Sequence, residues 1–417
     1  MDLVEFVPPT PHPLWKLCPQ MGITDVVVKV NPDLTGLSDP WRLSTLRSIV
    51  ERLKVEGLNV VGLEGDPFDM TPIKEYDSRK EQGGAPSRCA MSNGGAGSST
   101  SLGLSREERK YTSAALRLCV KNKFDISREE ALSHYRELLE SMGKLGIKLL
   151  CYNFMVGKGW SRTGVREGRG GAKATYFSLA ETKKTSDSGH RTSSAEVGSP
   201  KSEVLKLTAD QVWANYEYFI KSVMPTAEKC GVRMALHPDD PCLNSLGGYA
   251  RIFGSVEAYD RAYALYPSPS NAVTFCQANF KLMLGNGERG TVLATKNAKS
   301  TKTLRPLRPL RQKIETLEDV ARHFGKRIAF IHVRDVEGTK EDFTELFHDQ
   351  GTTDQFALMR VYRELELDVP VRGDHVPEMA YDRVLTPEGT PGYFTLGRLF
   401  ANGYLKALLQ AAGTVSV

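Results

Sequence analysis

Four strand-like runs in this sequence each end on a side chain that can ligate a metal. They are MALHP with His237, VTFC with Cys276, FIHVRD with His332 and VRGDH with Asp374. Taken singly, each has a plainer role. Cys276 could be a buried thiol, His237 a strand cap, His332 a core imidazole and Asp374 the partner of Arg372. Their shared position at the ends of successive strands points elsewhere. Parallel strands of a closed barrel bring their C-terminal ends to one mouth, where residues distant in sequence become neighbours. Two imidazoles, a thiolate and a carboxylate gathered there would hold one divalent cation. The mixed soft and hard donors leave Mn²⁺, Fe²⁺, Co²⁺ and Zn²⁺ all chemically reasonable.

Polar groups that packing does not require cluster in the same runs. His375 follows Asp374, Arg334 and Asp335 follow His332, and Asp239 and Asp240 lie just past His237. Glu64 and Asn153 end two earlier strands and are expected to face the same cavity or support it. An arginine suits a carboxylate substrate, and proton abstraction beside a carbonyl needs a base within hydrogen-bond reach.

The elements that must position these residues follow a repeating order. Strands are predicted at 3–7, 24–30, 59–64, 148–154, 233–237, 272–276, 327–335 and 369–375, mostly as continuous apolar runs typical of strands buried on both faces. Amphipathic stretches at 127–146 and 209–231 each close on a glycine, a plausible helix stop. Strand and helix alternating about eight times predicts an α/β (β/α)8 TIM barrel as a single domain over 1–417. No GxGxxG or Walker loop supports a nucleotide-binding fold. Stretches at about 80–105, 163–205 and 285–313 are polar or Gly/Ser-rich and are expected to be disordered surface insertions.

Composition narrows the class. The net charge is +5, but eight Lys/Arg against one acid between Glu288 and Lys313 leave the remainder near −2, so the basic excess is local and argues against a nucleic-acid partner. No stretch is apolar enough to span a bilayer and no secretory signal is evident, so no membrane partner is expected. Seven cysteines without compact spacing read as reduced thiols, and the expected location is cytoplasmic.

The motifs HPDDP (237–241), TFCQ (274–277), HVRDV (332–336), RGDHVPEM (372–379) and PGYFTLGRL (391–399), with CYNFM (151–155), WSRT (160–163) and GGAKATYF (170–177), resemble the mannonate dehydratase family in order from about residue 20 to 406. That resemblance implies a metal-dependent, xylose-isomerase-like barrel converting D-mannonate, a small-molecule sugar acid, to 2-dehydro-3-deoxy-D-gluconate and water in hexuronate (glucuronate) catabolism. It implies Mn²⁺ or Fe²⁺ on His237, Cys276, His332 and Asp374, and acid/base roles for His375 and Tyr393. Arg334 and Arg162, with Asn153 and Asp335, become candidates for holding the substrate. The sequence departs from the family at the first strand, which lacks its aromatic motif, and after the second, which lacks its paired histidines. Ala278 stands where Gly is usual and Gly373 where Pro is usual. A related sugar-acid dehydratase, a sugar isomerase or epimerase, and a sugar-acid-binding pseudoenzyme are the competing readings. The terminal run TLGRLFANGYLKALLQAA is expected to be a helix that closes the barrel or forms a homodimer contact.

Overall fold

The computed structural model describes residues 1–30, 39–77, 126–157, 159–182, 207–285 and 314–413. Eight parallel strands form its centre: β1 (Glu5–Val7), β2 (Asp25–Lys29), β3 (Asn59–Glu64), β4 (Leu149–Tyr152), β7 (Arg233–Leu236), β10 (Asn271–Cys276), β11 (Ile328–Val333) and β14 (Val371–Gly373). Each pairs with the next in that order. A parallel bridge between Leu3 and Val371, with Val4 N donating to Val371 O at 2.8 Å, brings the last strand back to the first. The sheet closes into a barrel, as the strand pattern anticipates.

Helices surround it: α1 (Pro13–Gln20), α2 (Leu43–Val55), α3 (Thr71–Lys74), α4 (Arg128–Leu145), α5 (Ala209–Cys230), α6 (Val256–Leu265), α7 (Gln277–Leu284), α8 (Leu317–Phe324), α9 (Gln355–Glu364), α10 (Asp382–Leu385) and α11 (Thr395–Ala411). Their boundaries are chemically defined. Ser127 Oγ accepts from Glu130 N at the start of α4, and Thr208 with Gln211 forms a capping box at the start of α5. Both helices stop at a left-handed glycine, Gly146 and Gly231. Inside the barrel Val4, Val27, Leu149, Cys151, Ala235, Ala272, Ala329 and Phe330 pack together, while the larger apolar cluster lies between sheet and helices. The terminal helix α11 packs along β14 and reaches β1. There Glu5, buried, accepts from Arg398 Nη2 and Asn402 Nδ2, each at 2.5 Å. No described helix is long and apolar enough to cross a membrane.

A second, antiparallel sheet grows out of the C-terminal side of the barrel. It is built from β5 (Gly164–Glu167), β6 (Lys173–Ser178), β12 (Val336–Thr339) and β13 (Asp342–Glu345), in the order β12-β13-β6-β5. Residues 164–167 and 173–178, expected within a disordered excursion, are therefore strands. They are held because β6 pairs with β13 (Phe343 opposite Phe177) and because Lys173 and Glu378 exchange backbone hydrogen bonds at 2.8–2.9 Å. A two-stranded hairpin, β8 (Ser245–Leu246) and β9 (Tyr249–Ala250), completes the elements. The expected insertions at 80–105, at 183–205 and, past residue 285, up to 313 lie outside the described residues.

Candidate active site

The register of neighbouring strands assembles the four proposed ligands. Cys276 on β10 lies opposite His332 on β11, and His332 lies opposite Arg372 on β14, two residues before Asp374. His237 follows β7. Ligand atoms of His237, Cys276, His332 and Asp374 all fall within 4.8 Å of one another. Three of these residues are buried and His237 is partly so. His237 Nδ1 donates to the Pro238 carbonyl at 2.8 Å, which leaves its Nε2 lone pair available. His332 Nδ1 is buried with no hydrogen-bond partner, 3.8 Å from Asp374 Oδ2. An orphaned ring nitrogen beside a thiol, a second imidazole and a carboxylate fits a divalent cation of the transition series.

The surrounding charges are arranged in two buried clusters. In the first, Arg372 donates through Nη2 to Glu64 Oε1 (2.8 Å), with Nε 3.2 Å from His332 Nε2 and Nη1 3.0 Å from Asp374 Oδ1. Burial raises the Glu64 carboxyl, but Arg372 and His332 outweigh it and bring it down to about 2. Glu64, Cys151 and His332 also converge within 4.8 Å, but Arg372 already neutralises the carboxylate there. In the second cluster Arg162 and Arg334 are interleaved with Asp240 and Glu345. Arg162 reaches Asp240 Oδ1 at 2.8 Å and Glu345 Oε1 at 2.6 Å. Arg334 reaches Asp240 Oδ2 at 2.8 Å, Glu345 Oε1 at 2.6 Å and Glu345 Oε2 at 2.8 Å. Burial opposes ionisation of Asp240, but the two guanidiniums hold its carboxyl at about 2; the same balance depresses Glu345 strongly.

This network fixes the tautomer of His375. Its Nδ1 lies 3.1 Å from Glu345 Oε1 and 3.2 Å from Arg162 Nη2. Arg162 Nη2 has two hydrogens, and it already donates to Glu345 Oε1 (2.6 Å) and Asp240 Oδ2 (3.0 Å). Nδ1 therefore carries the hydrogen and donates to Glu345. The lone pair is on Nε2, where the Tyr393 hydroxyl donates at 2.8 Å. Tyr393 is also 3.4 Å from Asp374 Oδ1. Burial, reinforced by Asp374, pushes the Tyr393 phenol well above its ordinary value, so the hydroxyl keeps its proton at neutral pH.

The cavity above these groups is small, about 120 Å³, and opens to solvent. His237, Asp374, His375, Tyr393, Asn153, Glu64, Arg372 and Trp160 are among its lining residues. Two of the residues expected to hold substrate, Arg334 and Arg162, lie beneath this lining, their donors taken up by Asp240 and Glu345. Asp335 is turned away: its carboxylate accepts from Lys281 Nζ (2.5 Å), Val336 N (2.9 Å) and Thr353 N (3.1 Å). Sequence reasoning missed Glu345, because it ends a strand of the antiparallel sheet and not of the barrel. It also missed Trp160, whose ring packs edge-on to His375 at 5.1 Å. Of the motif departures, Ala278 is accommodated within helix α7, where no positive φ is required, and is fully buried. At Gly373 a side-chain carbon would stand 3.3 Å from Ala401 Cβ and His348 Nε2, so this chain has packed the position for glycine.

Comparison with known proteins identifies the family. The family model for D-mannonate dehydratase (UxuA) matches residues 120–288 and 310–416, more than half of the chain. The mannonate dehydratase of Streptococcus equi subsp. zooepidemicus is 28% identical over 306 residues, covering 69% of this chain and 75% of that protein. That of Lachnoclostridium phytofermentans is 29% identical over 310 residues, covering 68% and 76%. In fold, the chain is similar to the crystal structure of mannonate dehydratase from Streptococcus suis serotype 2, with a TM-score of 0.68 at 20% identity, covering 99% of this chain and 95% of that one. By its matched segments, its relatives and its fold, this chain is an enzyme of the D-mannonate dehydratase family, a lyase built on a (β/α)8 barrel.

Proposed function

We propose that this protein removes water from D-mannonate to give 2-dehydro-3-deoxy-D-gluconate, a step of hexuronate breakdown in the cytoplasm, with one Mn²⁺ or Fe²⁺ held by His237, Cys276, His332 and Asp374. The carrying observation is the 2.8 Å contact between Tyr393 Oη and His375 Nε2 at the edge of the four-ligand cluster. When bound, the cation supplies Lewis-acid stabilisation for the negative charge that develops beside the substrate carboxylate.

The chain's own groups account for both protons of the elimination. His375 Nε2, which bears the lone pair because Nδ1–H faces Glu345, takes the C2 proton as the C3–O bond breaks. Tyr393 gives its phenolic proton to the departing hydroxyl, which leaves as water. The proton on Nε2 then crosses the short contact to the Tyr393 oxygen and restores both groups, while the enol formed at C2–C3 tautomerises to the 2-keto acid. Atoms and charge balance without an added acid or base. Trp160 over His375 helps to exclude water from this pair. The proposal is tested with His375→Asn and Tyr393→Phe. Both variants should retain the metal of wild type and lose turnover of D-mannonate; turnover persisting in either metal-replete variant would remove that residue from the mechanism.

A further inference from the structure

Beside the cavity lies a buried cation that the proton-transfer scheme does not use. Lys74, the last residue of α3, is 4% exposed, and its Nζ donates to Asp66 Oδ2 at 2.7 Å and to Asn153 Oδ1 at 3.0 Å. Met155 N also donates to Asn153 Oδ1, at 3.1 Å. An ammonium has hydrogens and no lone pair, so the Asn153 atom facing it must be the carbonyl oxygen. With both acceptor directions of that oxygen occupied, the amide nitrogen and its two hydrogens are left without a partner among the described residues, on a side chain that lines the cavity.

We propose that Lys74 is a positioning residue: it locks the Asn153 amide so that its N–H donors, not its oxygen, meet an oxygen of the sugar acid. The inference rests on the sugar-acid reading of the cavity and extends it to a specificity element. The lysine is itself held firmly. Asn215 Nδ2, from α5, donates to the carbonyls of Lys74 (3.1 Å) and Tyr76 (3.0 Å). The neighbouring Glu75 Oε1 accepts from Gly157 N at 2.9 Å. The loop after β3 thus grips the loop after β4 at two points, Asn153 and Gly157. A neutral side chain in place of Lys74 would leave Met155 N as the one remaining donor to that oxygen, so the amide would turn over more readily, present a lone pair to substrate lone pairs part of the time and weaken the attraction.

The test combines kinetics with a signal from the amide. Lys74→Met should raise KM for D-mannonate about tenfold or more, with a smaller effect on kcat, as expected for loss of a hydrogen bond used in ground and transition states alike. In an Asn153→Ala background the same substitution should add no further loss, and Lys74→Arg should restore much of the affinity. In protein labelled with ¹⁵N at asparagine, the side-chain amide pair assigned by its absence in Asn153→Ala should shift in Lys74→Met before any ligand is added. Independent, multiplying losses from Lys74→Met and Asn153→Ala would overturn the proposal, as would an unmoved Asn153 signal in Lys74→Met. If wild type turns over no sugar acid, the functional reading fails; the amide signal still decides whether Lys74 sets Asn153.

Discussion

Glu345→Gln probes the link between the antiparallel sheet and the chemistry. The carboxylate of Glu345 accepts from Arg162 Nε and Nη2, Arg334 Nε and Nη2, and His375 Nδ1. With Asp240 it balances the two guanidiniums charge for charge. A glutamine that keeps its carbonyl oxygen in the Oε1 position still serves Arg162 and His375, but turns an NH₂ toward Arg334 Nε, where Oε2 now accepts at 2.8 Å. The variant therefore buries one unpaired donor and one uncompensated positive charge, for which a loss of about 3–5 kcal/mol of stability is expected. The Nδ1–H tautomer survives, but the imidazolium formed when Nε2 takes the C2 proton loses its counter-charge. We expect kcat to fall about 10- to 100-fold, equivalent to roughly 1.4–2.7 kcal/mol of barrier, with KM nearly unchanged. The assay is 2-keto-3-deoxy acid formation from D-mannonate at saturating metal, alongside a denaturant midpoint. Wild-type kcat in a folded, metal-replete Glu345→Gln protein would refute the role of Glu345 as counter-charge to the imidazolium.

Three other outcomes follow from the same geometry. Asp240 is held at about 2 against an ordinary 3.8, burial being outweighed by Arg162 and Arg334, and Glu345 is depressed in the same sense. Carboxyls depressed in the folded state stabilise it fully above their ordinary range and lose that contribution as they are protonated. The urea midpoint should therefore fall as pH drops from about 4 toward 2; a flat midpoint over that window would contradict the network. Cys276→Ser removes the soft donor, and after dialysis its bound metal, measured by elemental analysis, should fall well below the one equivalent or so expected of wild type, whereas equal retention would remove Cys276 from the ligand set. Gly157→Ala places a Cβ 2.3 Å from the Tyr249 ring on a backbone with φ of +70°, and should cost about 1–3 kcal/mol by thermal unfolding; an unchanged midpoint would show that the loop relaxes freely.

The convergence of His237, Cys276, His332 and Asp374 was legible because it depends on strand ends alone. A run such as AVTFC or FIHVRD announces a buried parallel strand, and the barrel then supplies proximity between residues dozens of positions apart. Side-chain direction was partly legible. Arg334 and Asp335 follow each other just past β11, and the alternation of an extended chain sends them to opposite faces, Arg334 toward Glu345 and Asp240, Asp335 toward Lys281. The saturation of the arginines was not legible, since the partners of Arg162 at Asp240 and Glu345 lie 78 and 183 residues away. Residues 164–178 read as a polar excursion because their order comes from pairing with β13, a long-range contact that carries no local apolar signature.

The central claim is met most directly by incubating the purified, Mn²⁺-loaded protein with D-mannonate and measuring formation of the 2-keto-3-deoxy acid over time. Product should form steadily, and its formation should be abolished by chelation and restored by Mn²⁺ or Fe²⁺. A folded, metal-loaded protein that forms no product would contradict it.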